Sequence, residues 1–302
     1  MPAGFTAYLA PEGFETELEA ELGEVSARYG RLLLSPGAPK QVAWVANTWF
    51  DPQRLLIASI ADAARQLRAL QRNWALYAHA HHRRAALIAE RLPHVSAKPL
   101  VFPTPVPTAL LGSWTLLDER TLLAAPHCSS AFPNGEVRFV EDRTAPPSRA
   151  YLKLWEALTL FGRWPEPGER CLDLGSSPGG WTWALARLGA QVISVDKAPL
   201  EPRIAAMPGV EVRRESAFGL TPEAFGPIDW LFSDVVCYPE RLFHLVERWV
   251  QSGLCRRFVC TLKFQGGTDH AAASRFAAIS GARLVHLHHN KHELTWILLA
   301  RE

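Results

Sequence analysis

The chain has 302 residues, 48% of them hydrophobic and 21% charged, with a formal net charge of +2. That is the composition of an ordinary soluble globular protein with ample core, long enough for two domains. No run of 18 uncharged apolar residues occurs, which argues against a transmembrane helix.

The N-terminal stretch carries Glu12, Glu15, Glu17, Glu19, Glu21 and Glu24 and has no basic leader followed by an apolar segment, so no signal peptide is expected. Cys128, Cys171, Cys237, Cys255 and Cys260 are odd in number and form no CxxC pair, as suits reduced thiols in a cytoplasmic protein. Charge is uneven along the chain. Residues 1–27 hold six acids and no Lys or Arg, whereas residues 28–98 hold eleven basic and three acidic residues. A basic segment of this kind suits either solvated helix faces or a phosphate backbone.

In chain order, residues 5–10 read as a strand and Glu15–Leu22 as a short amphipathic helix. Leu32–Leu34 and Val42–Val45 read as strands, and Pro52–Leu70 as a longer helix with Leu55, Leu56, Ala63, Leu67 and Leu70 at helical spacing. A strand at Ala75–Ala80, a helix at Arg83–Leu92 and a strand around Leu100–Phe102 come next. Residues 109–125 and 136–140 suggest antiparallel strands, with Asn134-Gly135 as a turn. Residues 1–145 are therefore expected to be a mixed α+β region of two small subdomains meeting near residue 72. His79, His81 and His82, and later His286, His288, His289 and His292, lack the acidic or cysteine partners of a closed metal site, so no metal is expected.

The polar, proline-rich segment 141–148 reads as the domain boundary, with Ser148 as cap of a helix carrying Arg149, Lys153 and Glu156. From 170 onward strands (170–174, 191–195, 210–213, 229–233, 257–262, 283–287, 294–299) alternate with helices (181–188, 239–251, 270–280). This is a doubly wound α/β pattern ending in an antiparallel hairpin. The stretch Cys171-Leu-Asp-Leu-Gly-Ser-Ser-Pro-Gly-Gly-Trp181 is a strand, a glycine-rich turn and a helix start. Gly175, Gly179 and Gly180 let the backbone bend and approach a ligand, and Pro178 fixes one φ in the turn. Asp196 closes the next strand, about 20 positions after the first glycine, where an acid grips ribose hydroxyls. The turn lacks the second glycine that a dinucleotide fingerprint needs, since Ser176 and Ser177 stand there. A nucleoside cofactor other than a dinucleotide is implied.

Four charged residues stand out on this scaffold: Lys153 in the helix before the first strand, Asp234 and Lys263 just after apolar strands, and Glu293 just before one. Ligands of open α/β sheets bind at the carboxyl ends of strands, where Asp234 and Lys263 fall.

The turn and the order Lys153, Asp234, Lys263, Glu293, together with Ser148-Arg-Ala-Tyr-Leu-Lys153, resemble FtsJ-like ribose 2′-O-methyltransferases. Within that family the likeness is nearest to bacterial enzymes that methylate a cytidine of 23S rRNA. The resemblance covers residues 148–302 well and the N-terminal half more loosely. It implies a Rossmann-like methyltransferase domain at 146–302, preceded by a ferredoxin-like leader at 1–71 and a shortened THUMP-like RNA-binding domain at 72–145. It implies S-adenosyl-L-methionine as cofactor and rRNA, naked or partly assembled, as partner, with neither membrane nor DNA involved. Ser177, Pro178, Gly179, Gly180 and Trp181 are then expected at the amino-acid end of the cofactor and Asp196 at its ribose. Gly175, Ser216 and Asp234 complete that set, although Ser216, beside Glu215, stands where the relatives have an aspartate near the adenine. Lys263 is the expected general base, Asp234 and Lys153 position it, and Glu293 supports them. The chemistry asks for such groups, because a ribose hydroxyl is a poor nucleophile and must lose its proton as it attacks. Lys153 is expected to lower the proton affinity of Lys263 as a like-charged neighbour.

Other readings differ in detectable ways. Base methyltransferases carry proline after the acid of the loop, whereas here it reads Asp234-Val-Val-Cys237-Tyr238. A 5-methylcytosine enzyme would need Cys237 as nucleophile, where a small apolar filler is the simpler role. A small-molecule methyltransferase has no use for the basic N-terminal half, and a silent RNA-binding assembly factor has none for the four charged residues.

Overall fold

The computed structural model describes residues 4–299. They divide into two compact units, one running to Leu100 and resuming at Val106–Arg138, the other made of Val101–Pro105 and the chain from Phe139 on.

In chain order the first unit holds β1 (Phe5–Leu9), α1 (Glu15–Leu22), β2 (Ala27–Tyr29), β3 (Leu32–Pro36), β4 (Asn47–Phe50), β5 (Gln53–Leu56), α2 (Ile60–Leu70), β6 (Trp74–Leu76), α3 (His82–Ala89), β7 (Gly112–Leu116), β8 (Thr121–Ala125) and β9 (His127–Cys128). One sheet runs β2-β3-β1-β4-β9 and is antiparallel throughout. The other runs β5-β8-β7-β6, with only β6 and β7 parallel. Ala7, Leu9, Leu32 and Leu34 alternate along β1 and β3, so they share one face, and pack with Trp49, Leu123 and Ala125. Ala63 and Leu67 of α2 and Ala85 and Ile88 of α3 cover Trp114, Leu116, Leu122 and Ala124 of the second sheet.

Several expectations change here. Pro52–Leu70 is not one helix. Gln53–Leu56 pairs with Thr121–Ala124 as a strand, and the helix begins only after Ser59, whose hydroxyl accepts from the Asp62 amide at 3.1 Å. Val42–Val45 is no strand, because the carboxylate of Glu21 takes the amides of Ala43 and Trp44 that a ladder would have used. Leu100–Phe102 and 136–140 form isolated bridges rather than strands. Residue 72 is not where the sheets divide either. β5 and α2 belong with the second sheet, and β9 returns to the first.

The second unit holds α4 (Tyr151–Phe161), β10 (Arg170–Leu174), α5 (Gly180–Arg187), β11 (Gln191–Val195), α6 (Pro202–Ala205), β12 (Val210–Arg213), β13 (Ile228–Ser233), α7 (Pro239–Ser252), β14 (Cys255–Lys263), α8 (His270–Ala277), β15 (Ala282–Val285) and β16 (Glu293–Leu299). Its single sheet has the order β12-β11-β10-β13-β14-β16-β15. The first five strands are parallel, and β16 inserts antiparallel between β14 and β15. Helices cover both faces, so Leu172, Leu174, Leu231, Phe232, Phe258 and Val259 are all buried, as continuous apolar strands require. The strand order reverses between β10 and β13, which opens the crevice where such sheets bind ligands. The helix expected to start at Ser148 starts at Tyr151, and Ser148 instead accepts from the Ala150 amide at 3.4 Å in the turn before it.

Candidate active site

The sheet itself brings the four charged residues together. Lys263 ends β14 and Glu293 begins β16, and the antiparallel register makes them direct cross-strand partners. Asp234 follows the last residue of β13, which lies beside β14, and its amide donates to Leu174 O at 3.2 Å. Lys153 arrives from α4, where only 8% of its surface is exposed. Its Nζ donates to Asp234 Oδ1 and to Glu293 Oε1, both at 2.8 Å. Nζ of Lys263 donates to the main-chain oxygen of Asp234 at 2.5 Å and lies 3.1 Å from the same Oδ1.

This arrangement revises one expectation. Lys153 does not face Lys263 as an unshielded like charge, because Asp234 stands between the two ammonium groups and Glu293 backs the first. Burial works to strip Lys153 of its proton, but Asp234 and Glu293 outweigh it and hold the group above the ordinary lysine value. Lys153 is thus a fixed cation.

The glycine-rich turn sits at the same end of the sheet. Gly175 has φ +75°, and a Cβ there would lie 2.6 Å from Cα of Val235, so the turn after β10 presses directly on the chain after Asp234. Gly179 has φ +115° and is crowded by Ile204, and Gly180 by the Ser148 hydroxyl. Asp196 binds the turn from β11, one oxygen accepting from the Ser177 amide at 3.0 Å and the other from the Ala198 amide at 2.9 Å. The Ser177 hydroxyl donates to Pro199 O, and Pro178 lies between it and Gly179 at the helix entry. Trp181, expected to line a ligand, is buried and donates from its indole to Ala150 O at 2.8 Å, which ties the turn before α4 to α5. Ser216 lies beyond the end of β12, before a short 3-10 turn at Ala217–Gly219.

These residues suit a nucleoside cofactor with an amino-acid tail. Asp173 Oδ1 and the Ser176 hydroxyl are buried without a partner at the turn, and Asp196, after its two amide bonds, keeps lone pairs for ribose hydroxyls. Asp173 also gives a pH signature. Burial pushes its carboxyl up to about 7, with Asp234 and Asp196 adding to the effect and Thr182 opposing it. The folded state then holds the proton more tightly than the unfolded chain. The resulting stability is present below about pH 4 and is lost as pH rises through about 7. The thermal midpoint of the cofactor-free wild type, measured relative to Asp173→Asn, is expected to fall between pH 5 and pH 8. A difference that stays constant over that range contradicts this.

Charge order along the chain did not single out a further set of residues. A cavity of about 570 Å³ around the four charged side chains is also lined by Arg149, His289 and Lys291. His289 and Lys291 belong to the segment between β15 and β16. Glu156, one turn beyond Lys153 on α4, accepts from the His288 and His289 amides and from His289 Nδ1. His288 and His289 thus fasten this segment to α4, and no local feature of the sequence marked Glu156 as their partner.

Residues 146–262 match the model of the FtsJ-like methyltransferase family. Ribosomal RNA large subunit methyltransferase M from Halorhodospira halophila is 39% identical over 149 residues, 48% of this chain and 43% of that protein. The protein of the same name from Aromatoleum aromaticum is 34% identical over 194 residues, 59% of this chain and 52% of that one. Among solved structures, TrmN from Thermus thermophilus covers 98% of this chain and 99% of its own at 16% identity and a TM-score of 0.38. The chain spans about half the length of the curated relatives it matches. The doubly wound sheet, the charged cavity at its strand ends and the match over 146–262 together identify that part of the chain as an FtsJ-like methyltransferase domain.

Proposed function

We propose that this protein is an S-adenosylmethionine-dependent ribose 2′-O-methyltransferase acting on large-subunit rRNA, at a cytidine of 23S rRNA. The observation that carries the reading is the bridge of Lys153 between Asp234 and Glu293 with Lys263 hung on Asp234. The names of the relatives over the methyltransferase half support the choice of substrate.

When bound, S-adenosylmethionine supplies an electrophilic methyl group on a positively charged sulfur. Gly175, Ser177, Pro178, Gly179, Gly180 and Trp181 form or brace the turn that would hold its amino-acid end, Asp196 would take its ribose hydroxyls, and Ser216 and Asp234 would complete the cradle. Nζ of Lys263 would take the proton of the 2′-hydroxyl, leaving that oxygen able to accept the methyl group that the cofactor would supply. A neutral lysine amine has two N–H bonds and one lone pair. The hydrogen bond to the main-chain oxygen of Asp234 and the approach to its Oδ1 hold Nζ of Lys263 in place, and the lone pair of the neutral amine would be the base. Lys153, fixed as a cation, and Glu293 keep Asp234 oriented for that task. Holding hydroxyl and methyl in line is a positioning effect, to which rigid buried groups are suited.

The N-terminal unit is read as the RNA-binding part. Its first sheet has the strand order β2-β3-β1-β4 of a ferredoxin-like leader, with the loop 37–46 in place of a second helix, and the second sheet is read as THUMP-like. No helix of the described residues is long and apolar enough to cross a membrane, and a cytoplasmic location follows from the proposed rRNA substrate. The test is transfer of labelled methyl from S-adenosylmethionine to unmodified 23S and 16S transcripts. Label on 23S alone is expected. Label on neither, with cofactor binding intact, contradicts the proposal.

A further inference from the structure

Lys153, Lys263, Asp234 and Glu293 are two basic and two acidic side chains paired with one another. The cavity they line holds two further cations, Arg149 and Lys291, with no additional acid among its lining residues. Arg149 keeps one rim ion pair, at 2.7 Å to Glu141, with most of its side chain exposed. Lys291 is exposed, and its ammonium has no partner among the described residues. Its main chain, by contrast, is hydrogen-bonded on both sides. Its amide donates to Glu293 Oε1 at 3.4 Å, and its carbonyl lies 3.0 Å from His286 Nε2.

The segment carrying Lys291 is fastened to α4 in an unusual way. Glu156 is 1% exposed and has no Lys or Arg partner among the described residues. Its carboxylate instead accepts from the His288 amide at 2.7 Å, the His289 amide at 3.0 Å and His289 Nδ1 at 2.7 Å. Placing a carboxylate in the interior is costly unless it is fully hydrogen-bonded, and this one is bonded entirely to a loop that faces the cavity. A loop that only joined two strands would not need such an anchor.

We propose that Lys291 and Arg149 form a phosphate subsite for the RNA backbone next to the reacting ribose, and that Glu156, through His289, is the positioning residue that holds Lys291 there. The inference rests on the ribose 2′-O reading and deepens it. On a ribose the carbon next to the one bearing the 2′-hydroxyl carries the 3′-phosphate, so a cavity that admits this hydroxyl to Lys263 brings the phosphate to its rim. Cations at that rim neutralise the phosphate and set the register of the nucleotide, and they take no part in the methyl transfer.

The test uses the full chain with unmodified 23S transcript, in steady-state methyl transfer and in equilibrium filter binding across a salt series. Lys291→Gln is expected to raise KM about tenfold with kcat within about twofold, as loss of one charge-assisted contact would. The slope of log affinity against log salt should fall by about 0.7, the single-strand value for one phosphate contact. Lys291→Arg should restore both. Glu156→Gln should raise KM in the same way while leaving cofactor affinity unchanged, an effect that general loss of fold would not give. Unchanged KM and salt slope in Lys291→Gln, with wild-type methyl transfer normal, overturn the subsite and leave the methyltransferase reading standing. A wild type that transfers no methyl, with the salt slope still reduced in Lys291→Gln, overturns the reaction assignment and keeps the subsite.

Discussion

Replacing Lys263 by alanine is expected to lower methyl transfer to RNA by a factor of about 10² to 10⁴, the usual contribution of a positioned acid–base group. Cofactor and RNA affinity should stay within about threefold, because Asp234 keeps its pairing with Lys153 at 2.8 Å. Lys263→Arg should be equally inactive. An arginine keeps the charge and the reach to Asp234 but does not give up a proton at any working pH. This pair of substitutions separates a base from a mere electrostatic prop, since the arginine variant would retain the latter. Activity within tenfold of wild type in either variant contradicts the role assigned to Lys263.

The second large effect belongs to Gly175→Ala. The residue has φ +75°, and the added methyl would lie 2.6 Å from a main-chain atom of Val235, directly after Asp234. Left-handed strain and a backbone clash each cost about 1–3 kcal/mol, so about 3 kcal/mol in total is a fair expectation, or roughly 10 °C in the thermal midpoint. Relief of the clash must move either the cofactor turn or the chain that carries Asp234, so S-adenosylmethionine affinity should fall at least tenfold. Gly253→Ala is the control. It has φ +65° with open space around it, at the far end of α7, and should show the strain alone with unchanged cofactor affinity. Equal effects of the two substitutions would mean that contact between the turn and the Asp234 segment plays no part in the site.

The methyltransferase half was legible from sequence because its strands are short apolar runs set between glycines and prolines, and because its polar residues fall at strand ends. Trp230-Leu-Phe-Ser before Asp234 and Phe258-Val-Cys-Thr-Leu before Lys263 leave little choice of element or of end. The N-terminal unit gave less. Its strands are short, and side chains replace ladder partners, as Glu21 does for Ala43 and Trp44. Leu55 and Leu56 continue the helical spacing of Ala63, Leu67 and Leu70, and only the distant pairing of Gln53–Leu56 with Thr121–Ala124 makes that segment a strand. Sequence carries no local mark of such a pairing.

Within the site, residue type and order pointed to the four charged side chains, but not to how their charges are divided. That Asp234 Oδ1 serves both lysines is a consequence of β13 lying parallel beside β14 and of the reach of α4. The contribution of Glu156 was hidden for the same reason. A glutamate on a helix reads as a solvated face until the loop it fastens is known.

The most direct test of the account is the chemical position of the transferred methyl. RNA labelled by the wild-type protein would be hydrolysed in alkali and the products separated. The account predicts label in one alkali-stable dinucleotide from 23S rRNA, since a 2′-O-methyl group blocks cleavage of the neighbouring linkage, and none with Lys263→Ala. Label in an ordinary mononucleotide would mean that a base is methylated and would contradict the assignment of Lys153, Asp234, Lys263 and Glu293 to ribose chemistry.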